Sequence, residues 1–435
     1  MKLPRYEEYK DSGVEWLGNV PAHWNTRRLG FFFEERREKV SDKEFAPLSV
    51  TKIGIVPQLQ TAAKTDDGDN RKKVVAGDFV INSRSDRKGS AGTAYQDGSV
   101  SLINTVLRPI EGISNQFAHY LLRSTPFQEE FYRFGKGIVA DLWSTNYSEM
   151  RNIVLATPDV GEQTAIAAFL DHETAKIDAL IVEQEKLIAL LAEKRQATIS
   201  HAVTRGLNPD APMKDSGVEW LGEVPAYWDV RKINSLSNKI TNGYVGPTRD
   251  ILVDVGVRYL QSLHIKGNRI KFDAPYFVAE KWSNEHKKSI LQTGDLLIVQ
   301  TGDIGQAAVV TDEFAGCNCH ALIIVSPVGD VVLGEYLGWV FNSSYGKNTL
   351  LAIQTGALHP HLNCGNVKEV AVPLPPILEQ SRIVEHCVLA TSSFDELMSL
   401  AEEAIGLLKE RRSALIAAAV TGQIDVRGFV KETAE

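Results

Sequence analysis

The sequence predicts an α+β protein. Two duplicated mixed α/β segments are separated by two long helices, which pair as an antiparallel coiled coil with pseudo-twofold symmetry. Two observations predict this: a 15-residue element occurs twice, and a globular stretch followed by a long helical heptad pattern occurs after each copy. A length of 435 residues suffices for about three domains. The 43% hydrophobic and 23% charged residues are typical of globular proteins.

The duplication is explicit in the sequence. Residues 10–24 read KDSGVEWLGNVPAHW and residues 214–228 read KDSGVEWLGEVPAYW, with 13 identical positions at an offset of 204. Other short motifs repeat at an offset of 217, namely Gly77-Asp78 with Gly294-Asp295, Asn146 with Asn363, and Glu162-Gln163 with Glu379-Gln380. The period, near 210 residues, is too long for a solenoid and indicates a duplicated two-part unit.

These repeats divide the chain into four segments. Residues 1–157 form the first globular segment, 158–213 the first helix and linker, 214–373 the second globular segment, and 374–435 the second helix and a tail. Their formal charges are +2, −4, −2 and −4, so the two globular segments together are neutral within a total of −8. An acidic total therefore does not exclude DNA, because local clusters of charge determine a binding face.

The long helices follow from heptad spacing. Leu170, Ile177, Gln184 and Leu191 recur every seven residues, as do Cys387, Phe394, Ala401 and Leu408. Asp159 resembles an N-cap, Gly206 and Pro209 end the first helix, and Gly422 ends the second. The duplicate helix is the most economical partner for each apolar stripe. The alternative is that each helix packs on its own globular segment.

The globular segments contain short apolar runs bounded by turn residues, which predict strands. These runs are Val74–Asn82, Val100–Leu107, Ile290–Gln300, Ala307–Thr311 and Ala321–Val325. Helical spacing covers Asn115–Phe127 and Gly334–Ser344.

Catalytic signatures are scarce. The sequence has no phosphate-binding G-x-x-x-x-G-K-[ST], no G-x-G-x-x-G, no H-E-x-x-H and no G-x-S-x-G. We predict no catalytic residue and no metal site. One cluster of cysteines and histidines is a candidate for metal binding, but it matches none of the usual ligand spacings of zinc sites and is absent from the first copy. Free thiols are therefore favoured, and metal binding stays open. Its members are Cys317, Cys319, His320, His359, His361 and Cys364. Four cysteines and no long apolar run predict a cytoplasmic chain without a membrane span.

Polar loops carry the candidate functional residues. In each copy a polar loop follows the predicted strand that carries Gly-Asp, and both loops contain an aspartate at the equivalent position. The remaining loop residues differ between the copies. Arg pairs with guanine, Asn or Gln with adenine, and Asp with cytosine, so such loops can read base edges while lysines meet phosphates. The predicted DNA-binding residues are Arg71, Lys72, Lys73, Asn82, Ser83, Arg84, Asp86, Arg87, Lys88 and Lys136 in the first copy, and Lys266, Arg269, Lys271, Gln300, Thr301, Asp303, Gln306, His359 and His361 in the second.

The doubled Trp-Leu-Gly-x-Val-Pro element and the Pro-x-x-x-Glu-Gln helix starts resemble the specificity subunits of bacterial type I restriction-modification systems. The resemblance covers essentially the whole chain. It implies two target-recognition domains, residues 1–157 and 214–373, that each read one half of a split DNA sequence, with spacer helices in 158–213 and 374–435 that dock partner subunits. The loops at 141–146 and 358–363 keep the asparagine but share little else, which marks them as candidates for divergent recognition.

The resemblance also implies partners and cofactors. We expect double-stranded DNA with a bipartite target, methyltransferase subunits that carry S-adenosylmethionine, and restriction subunits that use ATP and magnesium. This chain itself is expected to bind no cofactor, to be non-catalytic and to set the gap between half-sites through helix length. Two other classes stay open: an enzyme that acts on DNA by itself, and a coiled-coil scaffold for other proteins.

Overall fold

The computed structural model describes residues 3–60, 68–84, 87–137, 143–356, 358 and 360–429. The chain forms two compact units, the first made of Met1–Gln184 with Glu403–Glu435 and the second of Glu185–Glu402. Each unit therefore combines one globular segment with parts of both long helices. Within the described residues, no helix is both long and apolar enough to cross a membrane.

Antiparallel strands form the framework of the first unit. Its four-stranded sheet has the order Ala91–Thr93, Phe79–Asn82, Asn104–Pro109, Phe33–Glu35, and a three-stranded sheet has the order Gly98–Val100, Arg71–Val74, Lys39–Val40. Strand pairs are Tyr9–Asp11 with Asn19–Pro21, Asn25–Arg28 with Val154–Thr157, and Leu48–Thr51 with Gly54–Pro57. The helices are α1 (Asn115–Arg123), α2 (Thr125–Arg133), α3 (Tyr147–Met150) and the long α4 (Val160–Arg205), which continues into the second unit.

The second unit repeats the four-stranded antiparallel sheet and its flanking helices, and among the described residues it adds the short helix Glu280–Glu285 and a parallel strand pair, Val257–Leu260 with Asn318–Cys319. Its corresponding four-stranded sheet has the order Ala307–Val309, Leu296–Val299, Leu322–Pro327, Ser237–Asn242, and a second sheet has the order Leu252–Val253, Phe277–Val278, Val257–Leu260, Asn318–Cys319. Strand pairs are Met213–Asp215 with Glu223–Pro225, Asp229–Lys232 with Ala371–Leu374, and Ile265–Lys266 with Arg269–Ile270. The helices are α5 (Glu280–Glu285), α6 (Gly334–Asn342), α7 (Ser344–Ala352), α8 (Cys364–Lys368) and the long α9 (Ile377–Val420), which ends in the first unit.

The predicted helix at Asn115–Phe127 is in fact two helices, and the break has a local cause. A continuous helix would lack the hydrogen bond from residue 126 to Leu122 O, because Pro126 has no backbone N–H. Ser124 ends α1 in an extended conformation and its Oγ accepts a hydrogen bond from Phe127 N at 3.4 Å, which starts α2. The second unit uses Ser343 in the same way between α6 and α7.

The ends of the long helices agree with the signals in the sequence. Asp159 Oδ1 accepts a hydrogen bond from Glu162 N at 2.9 Å, as an N-cap does. Gly206 and Gly422 follow α4 and α9 with φ of +76° and +74°, a conformation that glycine adopts without a Cβ penalty.

The two long helices pack together in each unit. In the first unit, Leu170 of α4 and Val420 of α9 share one core, and Asp178 of α4 pairs with Arg412 of α9 at 2.9 Å. Moving along α4 from 170 to 178 therefore moves back along α9 from 420 to 412, so the helices are antiparallel. In the second unit, Arg195 of α4 pairs with Asp395 of α9 at 2.8 Å. Position 395 is 178 plus 217 and position 412 is 195 plus 217, so the two ion pairs are copies of each other.

Packing on the globular segments accompanies this pairing. Ile166, Phe169 and Leu170 of α4 lie in the same core as Trp24 and Phe117. The corresponding core of the second unit contains Ile383 and Cys387 of α9 together with Trp228. The duplicate helix and the globular segment thus both cover the apolar stripe.

The repeated sequence motifs contact each other inside each unit. Trp24 of the first KDSGVEWLG element donates from Nε1 to Glu162 Oε1 at 3.1 Å, and Trp228 of the second donates to Glu379 Oε2 at 3.2 Å. Both tryptophans are fully buried. A Cβ on Gly422 would collide with Pro21 and approach Trp24, so that helix end needs glycine for close packing as well as for its φ.

The glutamine that follows each of these glutamates holds the helix start to the loop before α1 or α6. Gln163 donates from Nε2 to Gly112 O and Pro158 O at 2.9 and 3.0 Å, and it accepts from Ser114 N at 2.7 Å. Gln380 makes the same three kinds of bond. The Glu-Gln repeat is therefore an anchoring device, which accounts for its duplication.

Candidate nucleic-acid interface

In the first unit, the loop after strand Phe79–Asn82 meets the segment before α3. Arg84 and Lys136 each form a backbone bridge with Ser144, and Thr145 N donates to Ser83 O at 2.9 Å. We call residues 82–84 with 144–146 the first loop pair. Polar side chains from two distant stretches of the sequence are thereby brought into one small surface.

The second unit builds the same junction with different side chains. Thr301 and Thr355 form backbone bridges with His361, and Leu362 N donates to Gln300 O at 2.9 Å. We call residues 299–301 with 361–363 the second loop pair. At the repeat offset of 217, Thr301 and His361 are the counterparts of Arg84 and Ser144. One backbone arrangement therefore presents Arg and Ser in one unit and Thr and His in the other.

Two residues shared by the copies lie in the elements next to these junctions. Asp78 and Asp295 are buried, and each accepts a hydrogen bond from the backbone N–H three residues before it, at 2.8 and 2.9 Å. Asn363 caps α8 by accepting from Asn366 N at 2.8 Å, and Asn146 occupies the N-cap position of α3. The repeated Asp therefore holds the turn before each strand, and the repeated Asn lies at the start of a short helix in both units, while the neighbouring positions differ.

A cavity of about 270 Å³ lies beside the first loop pair. Ser83, Arg84, Thr105 and Asn146 line it together with Lys72. Lys72 Nζ donates to Glu35 Oε1 at 3.3 Å and to Asn104 O at 2.8 Å, so its charge is held at the cavity wall. This part of the surface offers cationic, hydroxyl and amide groups to a ligand.

The structure places the other basic residues predicted in the first copy in different environments. Arg71 is buried, with its guanidinium donating to Ser99 Oγ at 2.8 Å, so we do not retain it as a phosphate contact. Burial lowers the pKa of its guanidinium. Lysines 73, 88 and 136 pair with carboxylates, in the contacts Lys73–Glu38 (2.9 Å), Lys88–Glu129 (2.5 Å) and Lys136–Glu149 (3.3 Å). Arg87 is exposed, and its backbone N–H donates to Arg84 O.

In the second unit, Lys266 and Arg269 face each other on the hairpin Ile265–Lys266 with Arg269–Ile270, and Lys271 follows it; all three are exposed. Gln306 Oε1 accepts from Gly267 N at 3.4 Å, which connects this hairpin with the loop that also carries the exposed Asp303. Asp86 and His359 lie outside the described residues.

The described members of the cysteine and histidine cluster lie in different environments. Cys317 and Cys319 are buried, and burial raises the pKa of their thiols to about 11 and about 12. Cys364 donates from Sγ to Asn242 Oδ1 at 2.6 Å. Within the described residues, no three His, Cys, Asp or Glu side chains are grouped so that they could hold a metal ion.

Sequence reasoning missed an aromatic cluster in the second unit. Trp282 stacks on His286 with centroids 4.0 Å apart, and the ring of Tyr244 meets both edge-on at 5.1 and 5.2 Å. Ala321, whose N–H donates to Tyr244 O, has a left-handed φ of +46°. Trp282 and His286 lie four residues apart in one segment, but Tyr244 comes from a distant part of the sequence, so no local spacing indicates the whole cluster.

Comparisons with known proteins give a consistent relationship. The chain is 23% identical over 282 residues, 63% of its length and 59% of the relative's, to the type I restriction enzyme EcoBI specificity subunit of Escherichia coli. It is 21% identical to the MjaVIII specificity subunit of Methanocaldococcus jannaschii, with 94% and 95% of the two chains covered. For the EcoKI specificity subunit of Escherichia coli K12, the identity is 23% over 81% of this chain and 76% of the relative. No family model matches.

Solved structures share the fold. A chain from a study of complex assembly and conformational transition of the type I R-M system superposes with a TM-score of 0.70, with 92% and 98% of the two chains covered at 16% identity. The HsdS subunit of Thermoanaerobacter tengcongensis superposes with a TM-score of 0.55 at 17% identity, with 93% and 98% covered. The resemblance predicted from the doubled motifs is thereby confirmed.

Proposed function

We propose that this chain, which is related to the type I restriction specificity subunits, selects the DNA sequence on which a modification and restriction complex acts. The observation that carries the proposal is the duplicated loop junction. Two units hold the same backbone bridges at equivalent positions of the repeat and present different side chains there. Such an arrangement suits two readers of two different half-sites.

The residue types at the two loop pairs match base recognition. Arg84 in the first pair is exposed and can address guanine, and Gln300 and His361 in the second offer amide and imidazole groups. Asn82 is buried and its Oδ1 accepts a hydrogen bond from Arg84 N at 3.0 Å, so it holds the loop and we do not retain it as a base contact. Because the two sets differ, the two half-sites of the target are expected to differ in sequence.

Lysines near the first loop pair would provide the phosphate contacts. Lys88 and Lys136 are 48% and 79% exposed, and each is paired with one carboxylate. Exposed ion pairs contribute only about 0–1 kcal/mol, so a phosphate can replace the carboxylate at little cost. Binding through such lysines weakens as salt concentration rises, because condensed counterions are released from the DNA.

The chain would act without catalysing a reaction itself. We propose that methyltransferase subunits carrying S-adenosylmethionine and restriction subunits using ATP and magnesium dock on it in the cytoplasm, and that it binds no cofactor. Exposed leucines on the long helices support docking: in the second unit these are Leu187 and Leu190 of α4 with Leu397 and Leu400 of α9, each 42–54% exposed. Exposed apolar groups at helix spacing are typical of partner-binding surfaces.

Selection from a random duplex pool tests the proposal. The full chain, reconstituted with its methyltransferase subunit, is expected to enrich two short, different motifs separated by a fixed unread gap. Absence of enrichment at low salt would contradict DNA recognition and favour a protein scaffold. Methylation or cleavage by the isolated chain, supplied with S-adenosylmethionine or magnesium, would contradict the non-catalytic role.

A further inference from the structure

Gln300, in the second loop pair, has a fixed backbone but a side-chain oxygen without a hydrogen-bond partner among the described residues. Its backbone is fixed, because its carbonyl accepts a hydrogen bond from Leu362 N at 2.9 Å. Its side-chain oxygen Oε1 is buried and has no hydrogen-bond partner in the described part of the chain. The residue as a whole is half-buried and directly precedes the exposed Thr301.

In the first unit, the side chain equivalent to Gln300 has a hydrogen-bond partner that the second unit lacks among its described residues. Ser83 is the counterpart of Gln300 in the first copy, and its Oγ is hydrogen-bonded to Thr105 Oγ1 at 2.9 Å. Strand register pairs Thr105 with Ile81, and the equivalent pair in the second unit is Ile323 with Ile298. A buried isoleucine therefore stands where the first unit has a hydroxyl, and the side-chain oxygen at position 300 has no partner among the described residues of its own unit.

Another buried amide oxygen without a partner lies on the first unit's sheet, but it differs in kind. Asn104 is 5% exposed, and its Nδ2 donates to Ser101 O at 3.1 Å, which holds the amide inside the fold. Gln300 is longer, half-buried and located at the loop junction itself. Rotation about its side-chain torsions can bring the amide to a ligand without moving the backbone.

The chemistry of an amide selects the ligand. A buried acceptor without a donor is unfavourable, and a ligand that donates a hydrogen bond removes this penalty. In the major groove only adenine N6 and cytosine N4 donate, while guanine and thymine present acceptors. Adenine also offers N7 as an acceptor for Nε2–H, so it satisfies both ends of the glutamine amide at once.

We infer that Gln300 determines specificity by reading one adenine in the half-site bound by the second unit. The inference rests on the proposed function and adds to it a base identity at one position. It also explains the buried oxygen without a partner, because that oxygen accepts a hydrogen bond from the base when DNA is bound.

Three variants in the reconstituted complex test this by selection from a random duplex pool. Gln300→Leu keeps the size of the side chain and removes the amide. It is expected to lose discrimination at one A·T pair of the second motif by roughly 5- to 100-fold, while the first motif serves as an internal control. Gln300→Glu has acceptors only, and we expect the preference at that pair to move to cytosine. Gln292→Leu, an exposed glutamine before the same strand, is expected to leave both motifs unchanged.

Thermal unfolding separates recognition from folding. Gln300→Leu removes a buried oxygen without a partner, so its Tm is expected to equal or exceed that of the wild type. Retention of the complete second motif by Gln300→Leu, or a wild-type second motif without adenine, would overturn the inference but leave bipartite recognition intact. A wild type that enriches no motif would instead contradict the proposed function itself.

Discussion

Replacing Gln163 by leucine tests how the duplicated helix starts are anchored. The side chain is fully buried and makes three hydrogen bonds, with Gly112 O, Pro158 O and Ser114 N. Leucine has a similar size, so the substitution removes the bonds and leaves the three backbone groups without this partner. Gln380→Leu makes the same change in the second unit.

The magnitude follows from the groups left behind. A buried donor or acceptor without a partner costs about 1–3 kcal/mol. The loss of partners for Ser114 N and one carbonyl oxygen then costs roughly 2–6 kcal/mol, and the apolar leucine recovers about 1–2 kcal/mol through burial. We therefore expect each variant to lower the free energy of unfolding of its own unit by about 3 kcal/mol.

Hydrogen exchange in increasing urea measures this separately for peptides of each unit. Gln116→Leu, at an exposed position of α1, is the matched control and should change the free energy by less than about 0.5 kcal/mol. If Gln163→Leu and Gln380→Leu both stay within about 1 kcal/mol of the wild type, the anchoring argument is wrong.

Three further predictions concern glycine, histidine and cysteine. Gly422→Ala should destabilise the first unit by at least about 1 kcal/mol, because of the φ of +74° and the collision of a Cβ with Pro21. Gly406→Ala, in the open middle of α9, should stabilise by about 0.5–1 kcal/mol in the same urea assay. Equal effects of the two substitutions would contradict the packing argument. Burial and the charges of Arg123 and Arg412 lower the pKa of His119 to about 4. Between about pH 6.5 and pH 4 the unfolded chain therefore protonates this histidine while the folded chain does not, so the free energy of unfolding is highest above pH 6.5 and falls as the pH drops toward 4. Unfolding titrations should therefore show up to about 3 kcal/mol of pH dependence that His119→Gln removes, and an unchanged pH profile in that variant would refute the assignment. In thiol labelling of the native chain, the half-buried Cys364 should react first. Cys319 and Cys387 are buried and the pKa of each thiol is raised to about 12, so both should react only on unfolding. Early labelling of either would contradict their burial.

Periodic and repeated features could be predicted from the sequence. Heptad spacing and glycine stops predicted both long helices to within a few residues, because a 3.6-residue period and a left-handed glycine are local properties. The duplication predicted that two similar units exist. The role of Glu162, which binds Trp24 from a distant part of the sequence, depends on tertiary packing that no single segment encodes.

The candidate site was predicted only in part. The loops at Arg84 and Thr301 follow from the Gly-Asp frame, and the divergent loops at Ser144 and His361 were noted separately, but their backbone bridges needed the structure. Arg71 shows the opposite limit: of the three basic residues on strand Arg71–Val74 it alone is buried, because its guanidinium binds Ser99 on the neighbouring strand. That contact joins distant parts of the sequence, so no local pattern indicates which of the three basic side chains is buried.

Selection with one altered unit at a time tests most directly whether each unit reads its own half-site. The full chain carrying Arg84→Ala, and separately the chain carrying Thr301→Ala with His361→Ala, would be reconstituted with the methyltransferase subunit and sequenced after enrichment from a random duplex pool. We predict that each variant alters one motif and leaves the other motif and the gap unchanged. Loss of both motifs in both variants, or retention of both, would contradict the assignment of one loop pair to each half-site.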